Sequence, residues 1–253
     1  MLKNTIVAKL NEIEKEKQVK ILYAVESGSR AWGFESKDSD YDVRFIYIHP
    51  LDWYLSIENR RDVIEYQTSD LLDINGWDVK KALKLFKNSN PPLYKWLHSP
   101  IVYLEKSNFS KKLRTLMPKF YSSAACTHHY LSMAKRNYKA YLSHPKVNVK
   151  KYFYVLRPIL ACMWIEKYKT MPPMEFEKLF EAQDLKSQFR ENVRKLLKKK
   201  QSGEELDVQD RIKVINEFLI EKINYFEEYT RILKVKRDID VRPLDNLFKE
   251  TLF

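Results

Sequence analysis

Cysteine is scarce in this sequence, and long apolar runs are absent from it. Cys126 and Cys162 are the only cysteines among 253 residues. Two isolated cysteines provide neither a disulfide framework nor the spacing of a metal site, so we expect them to be buried free thiols. No apolar run approaches the roughly 20 residues that a membrane-spanning helix needs. Disulfide-stabilised secreted scaffolds, cysteine-rich zinc sites and membrane-spanning proteins are therefore poor interpretations.

The N-terminal segment lacks the apolar core of a secretory signal peptide. Residues 1–17 are charged and amphipathic, with apolar residues at helical spacing. Together with the free thiols, this predicts a cytoplasmic protein in a reduced compartment and gives no reason to expect a membrane partner.

Acidic residues are missing from a long part of the second half. Residues 1–110 hold 16 basic and 16 acidic residues, whereas residues 111–253 hold 30 basic and 18 acidic ones, which accounts for the whole net charge of +12. Residues 111–165 contain eleven Lys or Arg and no Asp or Glu. Since a solvated helical face normally mixes both signs, this stretch predicts a nearby polyanion: a triphosphate, a nucleic acid or the acidic cluster described below.

Glycine is scarce too, and half of it lies in one loop. The chain has four glycines, of which Gly28 and Gly33 follow an apolar run predicted to be a strand at residues 21–25. Gly28 has no side chain and would let a backbone approach a ligand closely, while Ser29 adds a hydroxyl donor. If a helix begins after the turn, its free N–H groups favour an anion. The loop is therefore a candidate phosphate site.

Two aspartates follow this loop, at the start of a second strand that the pattern extends to about Ile48. Side chains alternate across a strand, so Asp40 and Asp42 are expected on one face. Two carboxylates held this close repel each other unless a cation lies between them, and a hard divalent ion such as Mg²⁺ (or Mn²⁺) suits them. An Asp-x-Asp pair alone is usually solvated turn chemistry; the preceding Gly-Ser loop makes it informative.

The loop and the acid pair together resemble the DNA polymerase β superfamily of nucleotidyltransferases. The strings GSRAWG (residues 28–33) and SDYDVR (residues 39–44) resemble its branch of predicted nucleotidyltransferases associated with RNA repair, the RlaP-like proteins. The resemblance implies an α+β fold. A nucleotidyltransferase domain with a small mixed sheet would occupy residues 1–110, and an all-helical domain closing the cleft would occupy residues 111–253.

The resemblance also implies Mg²⁺-assisted transfer of a nucleoside monophosphate from a triphosphate to an acceptor hydroxyl, with release of pyrophosphate. Asp40 and Asp42 would bind metal, and a third carboxylate would share the metal and help to deprotonate the attacking hydroxyl. Asp73 is the expected third acid, because it lies just before a predicted Lys- and Leu-rich helix at residues 77–87. Glu65, on the preceding predicted strand, is the alternative.

Nucleotide-binding candidates come from both predicted domains. Gly28 and Ser29 would hold β- and γ-phosphate oxygens; Arg30 and Arg44 flank the site, where they would neutralise charge or simply pair with acids. In the helical domain, basic side chains would bind phosphates and tyrosines would stack on a base, although a solvated basic face is the alternative. The candidates there are Lys135, Lys150, Lys151, Tyr154 and Arg157.

The remaining pattern predicts a hairpin at residues 52–67, one long helix at 118–143, a second at 149–169 and a last long helix at 209–233. The acceptor stays open among an RNA end, a protein hydroxyl and a small molecule, with the basic domain favouring RNA. A non-catalytic nucleotide- or nucleic-acid-binding module on the same fold is the alternative function.

Overall fold

The described residues, 2–35, 39–69, 71–202, 208–234 and 239–253, divide between two units in a computed structural model. The first, called the sheet unit, contains those within Met1–Ala31, Asp40–Tyr121 and Asp238–Phe253. The second, called the helical unit, contains those within Trp32–Ser39 and Ser122–Arg237. The chain therefore leaves the sheet unit within the candidate loop and returns to it at the acid pair.

Seven strands lie in the described ranges: β1 (Lys20–Glu26), β2 (Tyr41–Ile48), β3 (Val63–Ser69), β4 (Leu72–Asp78), β5 (Val102–Glu105), β6 (Lys146–Asn148) and β7 (Val208–Asp210). The first five form one sheet in the order β3-β4-β2-β1-β5. Only β2 and β4 pair in parallel, and the other neighbours are antiparallel. The sheet is mixed, which confirms the predicted α+β class.

The described ranges contain these α-helices: α1 (Leu2–Lys17), α2 (Ser29–Trp32), α3 (Leu51–Tyr54), α4 (Val79–Lys87), α5 (Pro91–Leu97), α6 (Phe109–Phe120), α7 (Ser123–Tyr141), α8 (Tyr152–Tyr168), α9 (Phe176–Glu181), α10 (Ser187–Ser202), α11 (Lys213–Arg231) and α12 (Arg242–Leu252). A 3-10 helix, Val149–Lys151, leads into α8. None of these helices combines the length and apolar character that a bilayer crossing requires.

The core of the sheet unit forms because apolar side chains recur at the right period. On α1, Ile6, Leu10 and Ile13 lie on one helical face and are at most 1% exposed. They belong to the same buried cluster as Val43 and Phe45 of β2. Burying them packs α1 against the sheet, in which β1 and β2 are paired, and the candidate site lies at one end of these two strands.

The helical unit is built around α8. Buried residues occur on all faces of this helix and include Leu156, Ile159 and Leu160, each 0% exposed. A helix that is apolar all round must be surrounded by other elements. The sequence predicts an all-helical domain here. The unit also contains a two-stranded ribbon of β6 and β7, so it is not entirely helical.

The predicted hairpin at residues 52–67 is wrong. Leu51–Tyr54 form α3 instead, and β3 pairs with β4 rather than with the segment before it. Leu55 is 70% exposed and Ile57 100% exposed, so their apolar side chains have no core to cover. Strand β4 alternates between partly and fully buried positions, as a central strand between β3 and β2 does.

The border between the units lies near Tyr121 rather than at residues 110/111, and the predicted helix at 118–143 is divided there. Helix α6 belongs to the sheet unit, and so does the C-terminal helix α12. Arg114 of α6 pairs with Glu105, and Lys112 pairs with Glu250 of α12. These ion pairs neutralise part of the acid-free stretch locally. Ser122 then starts α7, since its side chain accepts a hydrogen bond from the Ala125 N–H.

Candidate functional site

Two aspartates face each other across the parallel strands β2 and β4. The register places Asp42 opposite Asp73. The Arg44 guanidinium joins them, because its Nη2 lies 2.7 Å from Asp73 Oδ2 and 3.2 Å from Asp42 Oδ1. Arg44 Nη1 also donates to the carbonyl oxygens of Val43 and Asp73. Arg44 therefore offsets the repulsion between the two carboxylates.

Asp40 and Glu65 lie in different surroundings. Asp40 is exposed and directly precedes β2, so it is not part of the strand, and its charge acts on Asp42. Glu65 lies on β3 opposite Asn75 and forms an exposed ion pair with Arg61. The structure thus brings Asp40, Asp42 and Asp73 to one end of β2 and β4, and places Glu65 on an outer strand.

Burial raises the pKa of the Asp42 carboxyl. Arg44 lowers this pKa, whereas the charges of Glu26, Asp73 and Asp40 raise it further. The ionised form of Asp42 is therefore held in a partly desolvated and acidic environment, which is the situation that a bound cation relieves.

Glu26, at the end of β1, organises the loop and is a residue that the sequence analysis missed. It is 0% exposed. Its Oε1 accepts hydrogen bonds from the backbone N–H groups of Ser27 (3.2 Å), Gly28 (3.1 Å) and Asp42 (2.9 Å). Its Oε2 accepts one from the Tyr103 hydroxyl at 2.7 Å. The one signal in the sequence was an acid ending an otherwise apolar strand.

Gly28 is needed for a reason that differs from the expected one. A Cβ at this position would lie 1.7 Å from Oδ2 and 2.6 Å from Cγ of Asp42. The Gly28 N–H is already bonded to Glu26. The glycine therefore makes room for the Asp42 carboxylate of its own chain, which packs directly against the loop.

Ser29 and Arg30 lie in α2, which has only four residues. Tyr41 stands between Asp40 and Asp42 in the sequence. The Arg30 guanidinium lies 3.7 Å from the centroid of the Tyr41 ring. A cation over an aromatic face is stabilised by the ring quadrupole. Arg30 is therefore held beside the start of β2, together with the acid pair.

The second half of the loop is anchored in the helical unit. Phe34 is 2% exposed, and its ring centroid lies 5.0 Å from that of Phe153 and 5.4 Å from that of Phe176. The Lys200 ammonium donates to the Phe34 carbonyl oxygen at 3.2 Å and lies 4.0 Å from the ring. Gly33 adopts a left-handed backbone with φ of 78° just before this anchor.

The Lys200 anchor predicts a pH-dependent stability. Burial, with the nearby charge of Lys150, lowers the pKa of Lys200 from its ordinary value of 10.5 to about 8. Between these two values the unfolded chain binds more protons than the folded one, so the free energy of unfolding gains a contribution that grows as pH rises from about 8 towards 10. Below pH 8 the penalty for burying the charge is fully present.

Urea unfolding of the wild type and of Lys200→Met across this pH range measures the effect. The stability of the wild type relative to the variant should increase with pH. Lys199→Met removes a charge at the same helix end from an exposed position and is the matched control. A constant difference between wild type and Lys200→Met would contradict the prediction.

The remaining candidates of the helical unit differ in their environments. Lys135 forms an ion pair with Glu227. Arg157 is only 3% exposed, its guanidinium lies 4.9 Å from the Trp32 ring centroid, and Nη2 donates to two backbone carbonyls. Arg157 therefore packs inside the unit rather than on its surface. Lys150 and Tyr154 are exposed, and Lys151 is half-buried between aromatic rings.

The acidic residues fit a divalent ion in their chemistry. Asp40, Asp42 and Asp73 offer the carboxylate oxygens that Mg²⁺ takes in proteins. Within the residues that the structure describes, no three His, Cys, Asp or Glu side chains are already grouped as a metal site. Arg44 contacts Asp42 and Asp73 instead, so a cation would have to share or replace these contacts.

Comparison with known protein families agrees with the resemblance in the sequence. A family model described as "RNA repair pathway DNA polymerase beta family" (RlaP) matches residues 2–250. A Bacillus subtilis (strain 168) protein, "Uncharacterized protein YcgL", is 49% identical over 251 residues, which cover 99% of this chain and 96% of that protein. The crystal structure of a nucleotidyltransferase-like protein from Exiguobacterium sibiricum 255-15 is 14% identical, covers 97% of this chain and 75% of that chain, and has a TM-score of 0.32.

Proposed function

Since this chain belongs to the RNA repair pathway DNA polymerase beta family, we propose that it is a nucleotidyltransferase. It would transfer a nucleoside monophosphate from a nucleoside triphosphate to an acceptor hydroxyl: the acceptor oxygen attacks the α-phosphorus, and pyrophosphate leaves. The observation that carries the proposal is the placement of Asp42 opposite Asp73, with the Gly28 loop packed directly against Asp42.

Asp40, Asp42 and Asp73 would hold Mg²⁺ or Mn²⁺. When bound, the ion supplies positive charge to the triphosphate and its transition state, which these carboxylates alone would repel. The raised pKa of Asp42 supports this assignment, because it reports an acidic and partly desolvated site. Arg44 offsets the same repulsion when no cation is bound.

The other residues of the site would bind and orient. The Ser29 hydroxyl would donate to a phosphate oxygen of the triphosphate, while Gly28 keeps the loop close to Asp42. Arg30 would add positive charge beside the phosphates from its position over Tyr41. Asp73, 46% exposed in its side chain, would accept the proton of the acceptor hydroxyl.

RNA is the acceptor that we propose. The acid-free stretch supports it, because several of its exposed cations lie on the helical unit. Such a surface attracts the phosphates of a polynucleotide. A protein hydroxyl and a small molecule are the competing acceptors, and a panel of acceptors incubated with labelled triphosphates distinguishes the three.

Replacing the two metal-binding aspartates tests the reaction. Asp40→Asn and Asp42→Asn should each lower divalent-dependent pyrophosphate release by more than about 100-fold. Replacing a residue that only hydrogen-bonds to a metal ligand already lowers metal affinity or activity by about 10- to 100-fold, and these two residues would be ligands themselves. The fold should persist, because both substitutions are isosteric. Asp62→Asn is the control, because Asp62 pairs with Lys81 and its carbonyl oxygen accepts from the Asp78 N–H at the end of β4 opposite to Asp73.

A triphosphate-binding measurement separates this function from its alternative. If the wild type binds a triphosphate with Mg²⁺ but releases no pyrophosphate with any acceptor, the chain is a non-catalytic nucleotide-binding module. Wild-type activity in Asp42→Asn would remove the catalytic assignment itself. Loss in both aspartate variants, with full activity in Asp62→Asn, is the expected result.

A further inference from the structure

Three aromatic rings form a row on the helical unit. The ring centroids of Trp32 and Tyr154 are 6.5 Å apart, and those of Tyr154 and Tyr141 are 6.3 Å apart. Tyr154 is 45% exposed and Tyr141 38% exposed, while Trp32 is half-buried. The backbone carbonyl of Tyr154 accepts a hydrogen bond from the Asn137 side chain, which fixes the centre of this ring row on α7.

Positive charge accompanies the ring row. The Lys151 ammonium lies 4.7 Å from the centroid of Tyr141 and 4.9 Å from that of Tyr154. Lys150 is exposed beside it and repels Lys200 electrostatically. None of these three lysines forms an ion pair with a carboxylate in the described ranges. The surface therefore combines aromatic faces with Lys150 and Lys151, which form no ion pair within the described ranges, whereas the Glu35 charge acts on Lys200.

A second aromatic surface of the same unit shows the contrast. Tyr225 of α11 is 47% exposed, and the Lys222 ammonium lies 5.7 Å from its ring centroid. Here, however, Lys222 pairs with Glu221, and the Tyr225 hydroxyl donates to Glu166. The two surfaces have similar exposure and the same residue types. Lys150 and Lys151, beside the ring row, form no such ion pair within the part of the chain that the structure describes.

We propose that the ring row, with Lys150 and Lys151, binds a single-stranded nucleic acid. Bases would stack on the Tyr141 and Tyr154 rings, and phosphates would lie beside the lysines, as in proteins that hold single strands by stacking and charge. A mononucleotide offers one base to a row of several rings, and a duplex keeps its bases stacked on each other. Use of this strand as the acceptor rests on the proposed function, whereas its binding does not.

Binding of a fluorescent single-stranded RNA of about 10 nucleotides, followed by anisotropy without any triphosphate, tests the proposal. Tyr141→Ala and Tyr154→Ala should each weaken binding by about 10-fold. Lys150→Gln and Lys151→Gln should each weaken it and reduce the slope of log K against log salt by about 0.7. Tyr225→Ala and Lys222→Gln are the matched controls and should bind as the wild type does.

Several outcomes would overturn the proposal. These are unchanged affinity in the four ring-row variants, equal losses in the Tyr225 and Lys222 controls, and equal affinity for a duplex of the same sequence. If a free triphosphate at the same concentration as the RNA displaced the RNA completely, the surface would be a mononucleotide site instead. Because no transfer is measured, failure of this assay is distinct from failure of the proposed reaction, and circular dichroism checks that each variant folds.

Discussion

Replacing Gly28 with alanine is expected to abolish nucleotidyl transfer. The new Cβ would lie 1.7 Å from Oδ2, 2.6 Å from Cγ and 2.9 Å from Cβ of Asp42, far inside van der Waals contact. Either the loop or the Asp42 side chain must move, and both belong to the proposed site. A displacement of about 1 Å in a catalytic group is enough to lose on the order of 100-fold in rate. Pyrophosphate release under saturating triphosphate measures the loss.

Gly33→Ala is the matched control for this substitution. Gly33 has a φ of 78°, and a Cβ there meets nothing within 4 Å. Alanine at this position strains the backbone by roughly 1–2 kcal/mol but leaves Asp42 untouched. We expect a less stable protein that retains most of its activity, in contrast to Gly28→Ala. Equal activity losses in the two variants would indicate that the loop backbone, rather than the space beside Asp42, decides the effect.

A double substitution makes the Gly28 prediction more stringent. Asp42→Ala removes the oxygen and carbon atoms that the new Cβ meets at 1.7 and 2.6 Å. The losses in the free energy of unfolding should therefore not add. The Gly28→Ala/Asp42→Ala protein should be more stable than the sum of the two single losses predicts, by about 0.5–3 kcal/mol, the range found for residues in direct contact. It should still be inactive. Additive stabilities would show that Gly28 and Asp42 do not meet in solution.

The sequence predicts the strands of the site better than the loop between them. The apolar run at residues 21–25 and the β-branched and aromatic residues from Tyr41 to Ile48 place β1 and β2 correctly, and the position of Asp73 follows once β4 pairs with β2. The reason for a glycine at position 28 is not visible in the sequence, because Asp42, whose side chain leaves no room for a Cβ there, lies 14 residues later. Such close contacts depend on register, which local patterns do not determine.

Burial of polar groups is the other part that local patterns miss. Arg157 is a reasonable phosphate ligand by residue type, yet its guanidinium packs on Trp32 inside the helical unit. The hairpin predicted at residues 52–67 fails similarly, since Ile57 reads as a strand residue but is fully exposed. Propensity describes what a residue favours, and tertiary contacts decide which segment receives a partner.

Glu26→Ala is expected to be the most destabilising single substitution at the site. The Glu26 carboxylate is fully buried, and its Oε1 is the acceptor for three backbone N–H groups. The Ser27 N–H also donates to the Asp42 carbonyl oxygen at 2.9 Å, so the N–H groups of Gly28 and Asp42 are the two that lose this acceptor, each at a cost of about 1–3 kcal/mol. Water entering the space left by the side chain would recover a part of this. We therefore expect a loss of about 3–5 kcal/mol in the free energy of unfolding.

Glu26→Gln distinguishes hydrogen bonding from charge. The amide oxygen of glutamine can replace Oε1 and keep all three backbone donors, while its NH₂ group faces the Tyr103 hydroxyl, which can rotate to accept. This variant should lose only about 1 kcal/mol, and its loop should keep the wild-type arrangement. Tyr103→Phe removes the donor to Oε2 alone and should cost a similar small amount.

Urea unfolding of Glu26→Ala, Glu26→Gln and Tyr103→Phe ranks their free energies of unfolding and so decides which property of Glu26 matters. If Glu26 acts as the backbone acceptor that fixes the loop against β2, Glu26→Ala must be far less stable than the glutamine and Tyr103→Phe variants. If glutamine were as damaging as alanine, the negative charge itself would be the essential feature, and Glu26 would belong with the metal-binding acids. The hydrogen bonds from Ser27, Gly28 and Asp42 favour the first outcome, because one oxygen atom already serves all three.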